Sequence, residues 1–412
     1  MDLELVTIGT ELLLGFTVDT NSAFAGQALA EIGVRIARRT SVPDEPAAVR
    51  DAVAEALART RLVLTTGGLG PTRDDLSKNA VAELLGLPLE FRTEIWDELT
   101  ARWARLGRRI SERNRCQAEV PRGATVLHNP RGTAPGLWIA SDRGLVIMLP
   151  GVPGEMRGLL RDEVVPRLTA HSGGRVVRSR VLRTTGIAES ALAERLQAVE
   201  ATVAPLTLAY LPSLEGVDLR LTAWGLAPDT ADDLLESAAG RLREPLGAHC
   251  YGESETDLAQ VLLERCRARR LTLAVAESCT GGMIAERITA IPGSSDVFRG
   301  GVIAYANGVK ESALGVPGRI LEVEGAVSEG TVRAMAGAAL ERLRASHAVA
   351  VSGVAGPDGG SPEKPVGTVW FGFAGPSDLD AERVVFPGSR HEIRVRATQY
   401  ALFGLLRRVG EG

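Results

Sequence analysis

Apolar positions recur along the chain at two spacings. Leu3–Ile8, Leu62–Thr65 and Leu145–Leu149 are short apolar runs that read as strands. Between them, Ser22–Ile32, Val49–Ala58 and the stretch around Gly154–Leu168 place apolar residues at helical spacing. This alternation predicts a wound α/β domain over residues 1–170, closed by Pro166 and the stretch His171–Gly174. The pattern then changes. Val176–Thr184, Leu206–Tyr210 and Val217–Ala223 read as strands, and Glu189–Val199 and Thr230–Leu242 as helices, which predicts a small α+β module over residues 171–252. From residue 253 to 412 the alternation resumes. Asp257–Arg269, Gly282–Thr289, Ser328–Ala345 and His391–Arg408 read as helices. Leu271–Ala276, Gly301–Tyr305, His347–Ser352, Thr368–Ala374 and Glu382–Phe386 read as strands. The expected fold class is α/β, with two α/β domains joined by the small module.

Composition narrows the class. With 45% hydrophobic and 24% charged residues, the chain is neither disordered nor fibrous. No apolar run approaches the ~18 residues of a membrane helix, and no basic segment leads into an apolar core at the N-terminus, so a cytoplasmic protein without membrane contact is expected. A formal charge of -4 argues against a general nucleic-acid binder. Cys116, Cys250, Cys266 and Cys279 are widely spaced, against a zinc ribbon, a CxxC redox site or a disulfide scaffold. Of 47 basic residues only Lys78, Lys310 and Lys364 are lysines. A desolvated lysine can lose its proton and arginine cannot, so each lysine is a candidate for base chemistry.

Three motifs in the last segment carry that chemistry. Ala276-Glu277-Ser278-Cys279-Thr280-Gly281-Gly282 lies where a strand passes into a helix, at the sheet edge where open α/β folds bind ligands. Ser278, Cys279 and Thr280 are its nucleophile-bearing side chains. Gly281 and Gly282 permit close backbone approach, and the helix start is expected to offer free N–H groups to a phosphate or oxyanion. An ordinary helix cap would use the same Ser and Thr residues. The stretch Gly300–Lys310 leaves a strand through Tyr305 and Asn307. A lysine in a partly apolar pocket has a lowered pKa and acts as a general base, with Tyr305 to relay a proton or position the amine; a solvated lysine on a short helix is the plain alternative. Ser352–Gly360, containing Gly353, Ala355, Gly356, Gly359 and Gly360 and followed by Lys364–Thr368, is either a loop that wraps a phosphate or sugar or a long turn.

Together with Gly325–Gly330, these motifs stand in the order found in the CinA (competence/damage-inducible) family. Residues 254–412 resemble that family's C-terminal domain, which is similar to stand-alone nicotinamide-nucleotide amidases. The resemblance implies hydrolysis of the carboxamide of nicotinamide mononucleotide (NMN) to nicotinic acid mononucleotide and ammonia, in pyridine-nucleotide salvage, without a cofactor. It implies Ser278 as nucleophile, Lys310 as its base and Tyr305 as a third catalytic partner. Thr280, Gly281, Gly282, Asn307, Gly353, Ala355, Gly356, Gly359 and Gly360 would surround the substrate. Cys279 is the rival nucleophile, although no histidine lies in these motifs to activate a thiol. A homodimer is expected from the family.

In the first segment, Thr65–Asp75 (TTGGLGPTRDD) follows a strand and precedes a helix. Gly67, Gly68, Gly70 and Thr72 suit a phosphate. Asp74 and Asp75 suit a hard divalent cation bridging phosphate oxygens, or simply complement a helix dipole. Lys78, one turn on, either neutralises a phosphate or is solvated. Gly9-Thr10-Glu11 with Asn21, Asn129–Gly136, and Leu149–Met156 with Gly151 are further candidate pieces or tight turns. Residues 1–168 resemble the family's N-terminal domain and, in turn, molybdopterin-binding domains. That implies a metal-dependent pyrophosphatase acting on ADP-ribose or a related dinucleotide, with Mg, Mn or Co, or else a molybdopterin role. The middle segment is similar, by position and size, to a KH-type module, but Thr185–Glu189 supplies no GXXG loop, so RNA binding is not expected. A reading of another class is a nucleotide- or molybdopterin-binding protein that recruits partners, with one or both sites non-catalytic.

Overall fold

The computed structural model describes residues 1–72, 75–105, 107–170 and 174–410. The chain divides into two compact units, Met1–Arg178 with Ala223–Leu234 and Ser179–Thr222 with Leu235–Gly412. Among the described residues no helix is long and apolar enough to cross a membrane.

The first unit is built on a six-stranded sheet in the order Arg35–Val42, Asp2–Ile8, Leu62–Thr66, Gly144–Leu149, Gly136–Ser141, Thr125–Leu127. The first four strands run parallel and the last two antiparallel. Apolar clusters cover both faces, one around Val53, Leu57, Val63 and Met148 and the other around Leu5, Leu29, Leu64 and Ile147. That is why the central strand Leu62–Thr66 is apolar on consecutive positions and buried throughout. The edge strand Arg35–Val42 escapes a reading by apolar pattern: it pairs on one side only, and Arg35, Arg38 and Arg39 lie exposed. The single helix expected around Gly154–Leu168 is interrupted. Pro153–Leu159 passes through a π turn, Leu160–Val164, into Val165–Thr169. Pro166 has no N–H to continue the ordinary hydrogen-bond ladder, and a local shift to wider spacing absorbs the loss.

The second unit, with the strand ends Val176–Arg178 and Ala223–Leu226 that fall within the first, carries a four-stranded sheet in the order Thr207–Pro212, Val217–Leu226, Val176–Thr184, Cys250–Glu253. It also carries a five-stranded sheet in the order Phe298–Ile303, Leu273–Glu277, His347–Gly353, Thr368–Ala374, Leu379–Val385. The first three strands of the latter are parallel and the last two antiparallel. From Leu273–Glu277 the chain goes outward to Phe298–Ile303 on one side, then returns to His347–Gly353 on the other. The carboxyl end of Leu273–Glu277 is therefore a topological switch point, where diverging connections leave a crevice. Register is the decisive fact: Glu277 pairs with both Ile303 and Val351, so the segments that follow all three strands leave the sheet side by side.

The closing helix Arg390–Arg408 buries Ile393, Ala397, Ala401, Leu402 and Leu405 in the same core as Phe371 and Phe373. Its first turn is fixed by a reciprocal cap in which the Glu392 N–H donates to Ser389 Oγ and the Ser389 N–H donates to Glu392 Oε2 at 2.7 Å. Ser389→Ala removes one half of this cap and is expected to destabilise the protein by about 1 kcal/mol. Urea denaturation followed by circular dichroism reads the effect, and Ser389→Asn should retain most of the lost stability.

Candidate active site

Ser278 follows the buried strand Leu273–Glu277 directly, and its N–H donates to the Val351 carbonyl at 2.9 Å, which anchors it to the neighbouring strand. The chain must then turn sharply into the helix Met283–Thr289. It does so through Gly282, whose φ of 98° is a left-handed conformation that a side chain would strain.

The helix start does not offer the free N–H groups that the motif suggests. Glu277, fully buried at the end of the strand, accepts from Gly282 N at 2.9 Å, Ile284 N at 3.2 Å and Ala285 N at 2.9 Å. The Met283 N–H is taken by the Thr280 carbonyl at 3.4 Å. A buried carboxylate therefore occupies the place an external anion would take, because its own charge and the helix dipole are satisfied together.

Lys310 is the largest fully buried side chain, with 1% exposure. It lies on the helix Asn307–Leu314, and its Nζ is 3.1 Å from Ser278 Oγ, 2.8 Å from the Ala304 carbonyl and 3.1 Å from the Tyr305 carbonyl. These carbonyls are turned toward the amine, and the strand expected over Gly301–Tyr305 accordingly ends at Ile303. Burial holds the Lys310 amine below its ordinary pKa. A neutral amine has two N–H groups and one lone pair. In that form the two carbonyls, which can only accept, would take both N–H groups and the lone pair would face the serine hydroxyl; as an ammonium the same nitrogen donates to all three oxygens.

The other candidates separate. Tyr305 joins the lysine through its main chain; its side chain is 58% exposed, and its hydroxyl accepts from Arg390 Nη2 at 2.7 Å. Cys279 packs into the hydrophobic core, and burial pushes its thiol up to about 12. Thr280 is fully buried, and its hydroxyl has no partner among the described residues. Gly353 ends its strand, Gly359 and Gly360 are exposed, and Asn307 is exposed in the first turn of its helix. Gly356 directs its carbonyl to Arg390, while Ala355 packs into the core.

Two arginines absent from the motif reading hold these loops. Arg394 donates from Nε to the Cys279 carbonyl at 3.1 Å and from Nη2 to the Thr280 carbonyl at 2.7 Å. Arg390, one turn earlier, donates to the Gly356 carbonyl at 2.7 Å as well as to Tyr305. Their spacing of four on a capped helix was the available signal, because it places both on one face.

The first unit repeats the arrangement at its own sheet edge. Thr7 pairs with Thr66 and Thr66 with Leu149, so the segments beginning at Gly9, Gly67 and Gly151 emerge from neighbouring parallel strands. Asn21 Nδ2 donates to the Gly151 carbonyl at 2.7 Å. A Cβ on Gly67 would lie 2.2 Å from the Ile8 carbonyl oxygen, so only glycine fits between the two strand ends. Gly68 lies against Ser77, where a Cβ would be 1.8 Å from Oγ. Asn21 Oδ1, Thr65 Oγ1 and Ser77 Oγ are buried without partners among the described residues. Asp75 Oδ2 accepts from Thr72 N at 2.8 Å and Thr72 Oγ1 at 2.5 Å, beside Gly70. Asp74 lies outside the described residues. Lys78 is buried and donates to the Cys116 carbonyl, and burial lowers its pKa. Asn129 Nδ2 donates to Glu155 Oε2 at 2.6 Å, tying the remaining two motifs together.

Residues 4–170 match the family described as "Probable molybdopterin binding domain", residues 179–252 the "Damage-inducible protein CinA KH domain", and residues 255–409 the "CinA C-terminal domain". A CinA-like protein from Gemmatimonas aurantiaca is 52% identical over 99% of this chain and 96% of its own length. The chain belongs to the CinA family. A CinA relative described as competence-damage inducible, from Symbiobacterium thermophilum, is 46% identical over 97% of this chain and 96% of its own. Among solved structures, the competence/damage inducible protein CihA from Agrobacterium tumefaciens is 40% identical, covering 37% of this chain and 94% of that one with a TM-score of 0.36. The three family matches give the chain a molybdopterin-binding-like first segment, a KH-like middle module and a C-terminal α/β domain.

The burial of Cys279 has a measurable consequence. With a thiol reagent added to the native protein, the half-buried Cys116 and Cys250 should be modified before Cys279 and Cys266. Mass mapping of the labelled peptides checks the order, and rapid native labelling of Cys279 would contradict the packing described.

Proposed function

We propose that the C-terminal site hydrolyses the carboxamide of NMN to nicotinic acid mononucleotide and ammonia, as a step of pyridine-nucleotide salvage. The observation that carries the reading is the buried lysine 3.1 Å from Ser278 Oγ, with the Ala304 and Tyr305 carbonyls within hydrogen-bond distance of the same amine. Ser278 Oγ attacks the carboxamide carbon as its proton passes to Lys310. The tetrahedral adduct collapses, the C–N bond breaks, and Lys310 returns the proton to the departing ammonia. Water, activated by the same amine, then cleaves the acyl ester and restores the serine hydroxyl. No cofactor takes part. Thr280 offers the buried hydroxyl whose missing hydrogen bond a bound substrate can complete, relieving a cost of about 1–3 kcal/mol. Tyr305 contributes its carbonyl to the lysine cage.

Ammonia release from NMN, followed by a coupled assay, should be lost in Ser278→Ala and in Lys310→Arg. The arginine keeps a charge but cannot present a lone pair. Cys279→Ala should retain most of the activity. Full ammonia release by the Ser278→Ala protein would sink the assignment.

For the first unit we propose a pyrophosphatase acting on ADP-ribose, giving AMP and ribose phosphate. The support is a glycine-lined edge of three parallel strands with orphaned polar atoms on Asn21, Thr65 and Ser77. Asp74 and Asp75 are the residues expected to hold Mg, Mn or Co; Asp74 lies outside the described residues, among which no group of three metal-ligating side chains occurs, and Asp75 accepts from Thr72. Purified protein with ADP-ribose and a divalent metal, each metal added in turn, should release AMP, and chelation should abolish the release. No AMP under any metal, with deamidation intact, would leave this unit as a nucleotide- or molybdopterin-binding module.

A further inference from the structure

We propose that the middle module positions the nucleophile of the C-terminal site, through the contact of Glu215 with Arg287; the proposal rests on the amidase reading above. Arg287 lies in the last turn of Met283–Thr289, the helix into which the Ser278 turn leads. Its side chain is 14% exposed and joins three separate elements. Nε and Nη2 donate to Asp257 Oδ2 at 3.2 and 2.9 Å, at the start of the helix Leu258–Arg269. Nη1 donates to Gln399 Oε1 at 2.7 Å, on the closing helix. The same Nη1 stands 3.2 Å from Glu215 Oε1, which belongs to the middle module.

Glu215 is held ready for that contact. It sits in the connection between the strands Thr207–Pro212 and Val217–Leu226. Its N–H donates to Ser213 Oγ at 3.2 Å, and its carbonyl accepts from Thr185 Oγ1 at 2.7 Å. Beside it, a Cβ on Gly216 would lie 2.0 Å from the Thr184 carbonyl oxygen, so the turn is pressed against the next strand. The module itself is packed on the C-terminal core. Tyr251, on the strand Cys250–Glu253, belongs to the same apolar cluster as Val351 and Phe371. Gly186 lies against the Phe403 ring, where a Cβ would be 2.3 Å from Cε1, and the His249 ring centre stands 5.9 Å from that of Phe403. Arg183 adds a further tie, since it pairs with Glu215 and Asp218 and donates to the Thr256 carbonyl at 3.4 Å.

A helix of seven residues has little stability of its own, so its place is set by what grips its two ends. At the start, the Glu277 carboxylate takes the N–H groups of Gly282, Ile284 and Ala285. At the other end, roughly 10 Å away, the grip is Arg287. Between them Ile284 and Ile288 are fully buried. Loosening Arg287 therefore lets the helix settle differently and moves the Ser278 turn relative to Lys310, where Oγ and Nζ stand 3.1 Å apart. A misplacement of ~1 Å at a reacting atom costs up to about a hundredfold in rate. Asp257 stays paired with Arg287 when Glu215 is altered, so such a variant keeps its fold and loses only the restraint that the module supplies.

The test compares full-length wild type, Glu215→Gln, Glu215→Asp and Glu236→Gln, with thermal unfolding to verify folding. Glu236 is on the same module but pairs with Arg180 and Arg243. Two quantities are read: kcat and KM for ammonia release from NMN, and the rate at which an alkyl fluorophosphonate labels Ser278, located by mass mapping. Glu215→Gln should lower both kcat and the labelling rate at least about fivefold, with KM little changed. Glu215→Asp, which keeps the charge, should recover part of each. Glu236→Gln should match wild type. Wild-type kcat and labelling in Glu215→Gln, even with a lowered melting temperature, would show a purely structural ion pair and overturn the proposal. A loss confined to KM, or an equal loss in Glu236→Gln, would overturn it as well. If wild type releases no ammonia from NMN, the amidase reading fails, and the order of the labelling rates alone upholds or overturns the placement of Ser278 by Glu215. A wild type that neither releases ammonia nor labels at Ser278 overturns both.

Discussion

An amine held out of water is the constraint around which the C-terminal unit is organised. Removing a lysine from solvent is expensive unless it sheds its proton or finds acceptors. Burial pushes the Lys310 pKa down, and the carbonyls of Ala304 and Tyr305 accept from its amine. The third direction is closed by Ser278, so the geometry that makes the burial tolerable is also the geometry of a serine facing a base. Arginine, which dominates the basic residues of this chain, has no neutral form with which to do the same.

The rest of the unit keeps that pair in register. Glu277 is paired on both sides in the sheet and spends its carboxylate on the following helix start, so the turn that carries Ser278 is fixed from before and after. Arg394 fixes the same turn from the closing helix, through carbonyls rather than through side chains. The result is a support built from a buried charge and backbone groups, which leaves the Ser278 hydroxyl facing Lys310 and the Thr280 hydroxyl without a partner among the described residues. The first unit shares the principle of neighbouring strand ends but lacks such a cage. Its amine, Lys78, is tied to the Cys116 carbonyl, and its orphaned polar atoms are hydroxyls and an amide. That difference suits binding of a phosphate group more than activation of a nucleophile.

Much of this was legible before any coordinates. The buried strands Leu62–Thr66 and His347–Gly353 announce themselves because consecutive apolar residues are needed where both faces are covered. The strand Arg35–Val42 does not, because an edge strand faces water and carries the arginines that suit it. Ser278 and Lys310 stand out through motif and rarity. Glu277, Arg390 and Arg394 do not, because a carboxylate at a strand end and two arginines on an amphipathic helix look like ordinary surface chemistry until the turn they hold is in place.

The sequence by itself determined the α/β alternation, the membership of the CinA family and the short set of residues able to do chemistry. Those follow from periodicity, motif order and side-chain type, which are local properties. It left Cys279 beside Ser278 as a candidate and promised free N–H groups at the helix start. Only the tertiary structure placed Cys279 in the core and gave those N–H groups to Glu277. Which side chain enters the core, which carbonyl turns inward and which carboxylate reaches a helix end depend on register between strands far apart in the chain, and a desolvated charge takes its character from those neighbours.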